Sequence, residues 1–247
     1  MFLFAVAHVL ANLKVLRTFG HHDNILRLVD VMTNPPDTPN FEAIYLVTES
    51  FDCTLKDALQ LNENLHERHV QYLLFQILRG LAYLHSAEIS HANLSSQSLL
   101  VNSRCDLVLS DFGLAQQGKL ISHNIVEDST CPLRHRPPEV LCKNYDFSCA
   151  ADVWSTGCIF AEMILNESIF KGDTTRECLT SICSTLGNPP QSEWENIGGK
   201  SVGEYIPIVI DASQGAGTCF KDGIIISVHV FISDFHTVLF AQLLFEN

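Results

Sequence analysis

Positive charge is scarce in this chain: 15 lysines and arginines stand against 28 aspartates and glutamates, a formal net charge of −13 over 247 residues. That excess repels phosphate, which argues against nonspecific binding to nucleic acid or to an anionic membrane and leaves basic protein surfaces open as partners. Paired cysteines are missing too. Nine cysteines are present, yet none forms a Cys-x-x-Cys pair, the closest spacings being Cys178/Cys183, Cys142/Cys149 and Cys149/Cys158. Zinc ribbons and dithiol redox motifs are thereby excluded, and the cysteines read as buried thiols of a reduced compartment. Glycine-rich phosphate loops fail as well. Gly198-Gly199-Lys200-Ser201 has Trp194 where a P-loop needs its earlier glycine, and Gly215-Ala216-Gly217 ends at Phe220 where a dinucleotide fingerprint needs another. Met1–Leu10 lacks the basic start and cleavage site of a leader. Ile224–Phe245 has the length of a membrane span but contains His229, Asp234 and His236, and a central charge costs ~3 kcal/mol on insertion. Membrane association is not expected. No internal repeat or low-complexity tract occurs.

What is present reads as globular: 47% of residues are hydrophobic and 17% charged, enough to build a sizeable core. Helical spacing of Phe4, Ala7, Val9, Leu10, Leu13 and Leu16 predicts a helix over residues 4–18. Two strands are expected next, Ile25–Met32 and Ala43–Thr48, split by the turn Asn34-Pro35-Pro36-Asp37. Val70, Leu73, Leu74, Ile77, Leu78, Leu81 and Leu84 form the stripe of a buried helix. Leu99–Val101 and Leu107–Leu109 read as short strands around a turn, Asp152–Leu165 as an apolar helix and Arg176–Leu186 as a shorter one.

Between and around these elements lies a set of collinear strings. They include His22-Asp23-Asn24-Ile25-Leu26, Tyr45-Leu46-Val47-Thr48-Glu49, Gln76-Ile77-Leu78-Arg79-Gly80-Leu81 and Tyr83-Leu84-His85-Ser86-Ala87. The loop His91-Ala92-Asn93-Leu94-Ser95-Ser96-Gln97-Ser98 follows, then Asp111-Phe112-Gly113-Leu114-Ala115 and Asp152-Val153-Trp154-Ser155-Thr156-Gly157. Over residues 8–190 the chain resembles a MAP-kinase-group Ser/Thr protein kinase, most of all a Nemo-like kinase. The resemblance implies an α+β, protein-kinase-like fold, with a partial small lobe and an incomplete, mainly helical large lobe. It assigns residues 1–197 to a partial kinase-like domain and leaves 198–247 as an unrelated apolar tail.

The resemblance also implies roles. Asp111 is the metal-binding aspartate, Glu49 and Phe51 flank the adenine-binding hinge, and Leu100 is the adenine floor. Asn93 stands at the catalytic base position, Ser95 at the loop lysine and Ser98 at the second metal ligand; Ala92 replaces the loop arginine. An amide has no useful basicity, and a general base contributes about 10²–10⁴-fold. Ser98 is a weak ligand for magnesium. The glycine loop, its lysine and the lysine's glutamate partner, aligned with Asn12, are expected to be absent. Glu127 occupies the phosphorylatable threonine's place, and Val9, Ala92 and Gln116 replace the arginines that gather that phosphate. Leu16, Leu28, His91 and Phe112 match the column joining the lobes, and Asp152 the anchor of the catalytic-loop backbone.

The expectation is therefore a degenerate kinase domain, a pseudokinase of the cytoplasm or nucleus that binds protein partners of a signalling pathway, with ATP and magnesium binding weak or absent. The alternatives are a weakly active Ser/Thr kinase using ATP and magnesium, and a nonfunctional fragment. Because the helix Asp152–Leu165 is apolar on nearly every face, and part of its surroundings falls where the resemblance ends, several of its large side chains are expected to lie exposed.

Overall fold

The computed structural model describes residues 2–36, 40–61, 65–117, 132–142 and 148–187. The first apolar periodicity folds as helix α1 (Phe2–Phe19), which starts two residues ahead of the predicted segment. Arg17 in its last turn faces the negative end of the helix dipole. Gly20 ends the helix, its N–H donating to the Leu16 carbonyl at 3.0 Å. A Cβ at position 20 would overlap that same carbonyl oxygen, so the close approach requires glycine there.

Strands β1 (Leu28–Asn34) and β2 (Ala43–Thr48) form an antiparallel ribbon in which Leu28 faces Thr48 and Asn34 faces Ala43. The first predicted strand is thus displaced toward the C-terminus. Its start is held elsewhere: the Leu26 N–H donates to the Leu109 carbonyl and the Leu109 N–H to the Asn24 carbonyl, so Ile25 bridges to Leu109 instead. Val29, Met32 and Tyr45 of the ribbon are each more than half exposed.

Beyond the ribbon come β3 (Cys53–Thr54), α2 (Leu55–Leu61) and α3 (Glu67–Ser86). The predicted stripe of α3 is its core face, with Val70, Leu73, Ile77, Leu81 and Leu84 buried. Strand β4 (Ile89–Ser90) pairs antiparallel with β7 (Gln116–Gln117). Strands β5 (Leu99–Val101) and β6 (Leu107–Leu109) have the predicted bounds and, with β3, make a three-stranded sheet in the order β3-β5-β6. Short 3-10 turns occupy Phe112–Leu114 and Leu133–His135, followed by helices α4 (Pro138–Leu141), α5 (Cys149–Leu165) and α6 (Thr175–Leu186). A capping box of Thr174 and Glu177 starts α6.

Two apolar clusters result, and α5 serves both. Its Ile159 and Met163 join Leu16, Ile77, Leu84, Leu94, Leu109 and Phe112. Its Cys158 and Ala161 join Leu141, Phe170, Leu179 and Ile182. Apolar residues on all sides of α5 are thus explained by packing on two fronts. The expected exposure of its large side chains is corrected: along α5 only Ile164 is an exposed large hydrophobic. The architecture is α+β, a sheet-bearing first part followed by a mainly helical one. Glu127, residues 198–247 with their glycine motifs and the Ile224–Phe245 run, and Asp37 of the predicted turn lie outside the described residues.

Candidate active site

The loop between β4 and β5 is buried from His91 to Ser96, and Asp152, at the start of α5, holds it. Asp152 Oδ2 accepts the His91 N–H at 2.8 Å and Oδ1 accepts the Ala92 N–H at 2.9 Å. These bonds support Ala92 in the left-handed region, at φ 61°, which a side chain with a Cβ adopts only when its surroundings hold it there. Oδ2 also lies 2.8 Å from His85 Nε2 at the end of α3. Burial opposes a charge on His85, but the hydrogen bonds to Asp152 and Cys149, and the attraction of both groups, push its pKa up to about 9. His85 is therefore an imidazolium at neutral pH.

His91 is the opposite case. It is fully buried, and burial lowers its pKa despite the raising influence of Asp152 and Asp111. Its Nε2 lies 3.0 Å from the Ser110 carbonyl and its Nδ1 accepts the Asn93 N–H at 3.3 Å. A neutral ring satisfies both contacts with the proton on Nε2. The ring also packs on Phe112, their centroids 5.0 Å apart.

Asn93 and Asp111 meet. The Asn93 Nδ2 amide donates to Asp111 Oδ2 at 2.7 Å, whereas Asn93 Oδ1 is buried without a hydrogen-bond partner. The other carboxylate oxygen, Asp111 Oδ1, is 3.9 Å from His8 Nε2 on α1. His8 packs so closely over Gly113 that a Cβ there would overlap its imidazole. Asn12, also on α1, accepts the Phe112 N–H through Oδ1 at 3.3 Å. Ser95 and Ser98 are joined to each other: Ser98 Oγ accepts the Ser95 N–H and donates to the Ser95 carbonyl, both at 3.0 Å.

The remaining predicted site residues lie apart. Glu49 and Phe51 line a cavity of about 630 Å³ together with Asn24, Arg27, Gln76 and Arg79. Neither Asp111 nor Leu100 lines that cavity; Leu100 packs, partly buried, on the first apolar cluster. Glu49 Oε1 accepts the Arg27 N–H at 3.0 Å.

A protein kinase domain model matches residues 5–203. The chain belongs to the protein-kinase family. It is 40% identical over 203 residues to mitogen-activated protein kinase 3 of Oryza sativa subsp. japonica, an alignment covering 80% of this chain and 52% of the relative. Mitogen-activated protein kinase 5 of Oryza sativa subsp. indica is 37% identical over 198 residues, covering 80% and 52%. Mitogen-activated protein kinase 5 of Arabidopsis thaliana is 35% identical over 197 residues, covering 80% and 51%. Within the kinase family these matches place the chain in the MAP-kinase group. It spans about half the length of these relatives.

In this kinase domain the sequence located the loop, its anchor Asp152 and the carboxylate Asp111, but missed other parts. His85 lies within one of the collinear strings, which carries no sign that it partners Asp152. A second buried pair went unnoticed: His135 Nε2 and Glu162 Oε2 are 3.0 Å apart beside a cavity of about 630 Å³ that Lys56, Ser96 and Gln97 also line. Burial works against ionised Glu162, but hydrogen bonds from His135 and Ser96 and attraction to His135 and Lys56 leave its pKa lowered. A histidine just before Arg136-Pro137-Pro138-Glu139 carried no sequence signal for this. Among the described residues no helix is long and apolar enough to cross a membrane.

Proposed function

We propose that this chain is a degenerate MAP-kinase-like domain that acts by binding other proteins and transfers no phosphate. The observation that carries the reading is Asn93 at the base position. A base must present an acceptor to the substrate hydroxyl. Here the amide directs its donor to Asp111 at 2.7 Å and its acceptor oxygen is buried. The other substitutions support the reading: Ala92 offers no guanidinium, Ser95 no ammonium, and the Ser98 hydroxyl is engaged with Ser95. In kinases the transferred phosphoryl group is stabilised almost wholly by positioned charge, and these side chains supply none. ATP binding is accordingly weak or absent, and a net charge of −13 gives a triphosphate little attraction. The partners are proteins of a signalling pathway, met in the cytoplasm or nucleus.

A second reading, a weakly active Ser/Thr kinase using ATP and magnesium, is favoured by one observation, the retained Asp111. Incubation with labelled ATP and a generic basic protein substrate separates the two. The expected result is no transfer above a blank. Transfer that Asp111→Ala abolishes would overturn the proposal in favour of the weak kinase.

A further inference from the structure

Magnesium requires near-octahedral oxygen ligands, usually one or two carboxylates with several waters. The family positions for such an ion do not fit it here. Asp111 Oδ2 accepts the Asn93 amide at 2.7 Å, and Asn93 Oδ1, the amide atom able to ligate, is buried away from any partner. The Ser98 hydroxyl is closed on the Ser95 backbone through two bonds of 3.0 Å. Among the described residues no group of three or more His, Cys, Asp or Glu side chains gathers as a metal site.

The direction of the amide matters. Turning it over would bring Asn93 Oδ1 against Asp111 Oδ2, two acceptors at hydrogen-bonding distance, so the donor must face the carboxylate. The amide then leaves its own oxygen buried and unsatisfied, a penalty tolerated because the bond to Asp111 is charge-assisted. Asn93 is 3% exposed, so the donor side of the contact is shielded from water, while the Asp111 side chain is 40% exposed. Asp111 itself stands at φ 62°, and the next residue's N–H is taken by Asn12 of α1 at 3.3 Å.

We propose that the Asn93 amide replaces the cation at this site, forming a clasp from the catalytic-position loop to Asp111 that shuts divalent metal out and fixes the turn beneath α1. The inference deepens the reading above and rests on it. Its chemistry makes a reciprocal demand. Asn93→Asp keeps the shape but turns the donor into a second carboxylate against Asp111, and two such groups in contact require a cation or a shared proton. Asn93→Ala removes the donor and adds no charge.

Manganese(II) is the probe, followed by the electron paramagnetic resonance of the free ion, with thermal melting in EDTA as the second readout, both at pH 7.5. The wild type is expected to leave the manganese signal unchanged and to melt at the same temperature with and without metal. Asn93→Asp should bind manganese about tenfold or more tightly than the wild type, since affinity follows the number of ligand charges. It should also melt several degrees lower in EDTA and recover with manganese. Asn93→Ala should bind between the two. Equal manganese affinity of the wild type and Asn93→Asp, or an Asn93→Asp melting curve in EDTA matching the wild type, would overturn the clasp. A wild type that binds manganese but transfers no phosphate defeats the clasp alone; Asp111-dependent transfer defeats the proposed function itself.

Discussion

The carboxylate of Asp152 lies 2.8 Å from the imidazole nitrogen of His85, and the same oxygen accepts the His91 N–H at 2.8 Å. One buried group thus ties the end of α3, the loop after β4 and the start of α5.

Removing that group should be severe. Asp152 is 1% exposed in its side chain, and Asp152→Ala would strand two buried backbone donors and a buried cation. Breaking a buried pair from one side costs about 3–5 kcal/mol. Urea unfolding of the variant should show a loss of that size, a large part of a typical total of about 5–15 kcal/mol.

Stability should depend on pH through His85. Its folded-state pKa of about 9 lies above the ordinary value of 6.5, so its contribution is fully present below pH 6.5 and is lost as pH rises through about 9. The whole effect is at most about 3 kcal/mol. His91, with its pKa lowered by burial, acts in the other direction: the unfolded chain takes up the proton first, and stability falls as pH drops below 6.5. The urea midpoint should therefore fall between pH 6.5 and 9, and His85→Gln should flatten that limb.

Gly80→Ala tests packing against propensity. In a helix interior the change ordinarily gains about 1 kcal/mol. Here the new Cβ would stand 2.6 Å from Leu109 Cδ1 and 3.0 Å from the Asn24 carbonyl oxygen. Overpacking costs typically about 1–3 kcal/mol, so the variant is expected to be no more stable than the wild type, and by thermal melting less so. A raised melting temperature would show that Leu109 gives way freely.

Thiol reactivity should sort by place in the core. Burial pushes Cys142 and Cys183 up to about 11, which leaves almost no thiolate at pH 8, and thiolate is the reacting form. Cys105 and Cys149 are only partly buried. Iodoacetamide labelling of the native chain, followed by peptide mass spectrometry, should modify Cys105 and Cys149 at least about tenfold faster.

Local patterns in the sequence were read well because local physics produces them. Leu99–Val101 and Leu107–Leu109 were placed to the residue because two apolar runs bracket a polar turn, Asn102-Ser103-Arg104. Asp111 and the Asn93 loop were found through the resemblance of their strings to those of a kinase family, not through local physics. Their mutual hydrogen bond was not, since it depends on how two loops 18 residues apart face each other. Nor was the contact of Asn12 with Phe112 across 100 positions. The start of the first strand was misplaced for a similar reason: Asn24 and Leu26 satisfy their backbone groups on Leu109, a competition no local pattern records. The apolar girth of α5 was seen, but the two clusters that cover it were not.

The ribbon of β1 and β2 has a kinetic consequence. Among the described residues its strands pair only with each other, and Val29, Met32 and Tyr45 are mainly turned to solvent. A lone two-stranded ribbon is marginal in water, and regions with few buried apolar contacts open at the low end of the free-energy range. Its amides should exchange hydrogen for deuterium well before those of Ile77, Leu81 and Leu84, which open only when the core does. Brief, repeated separation of these two strands is then expected while the core stays closed, and it would offer a protease or a neighbouring strand a hold on the ribbon.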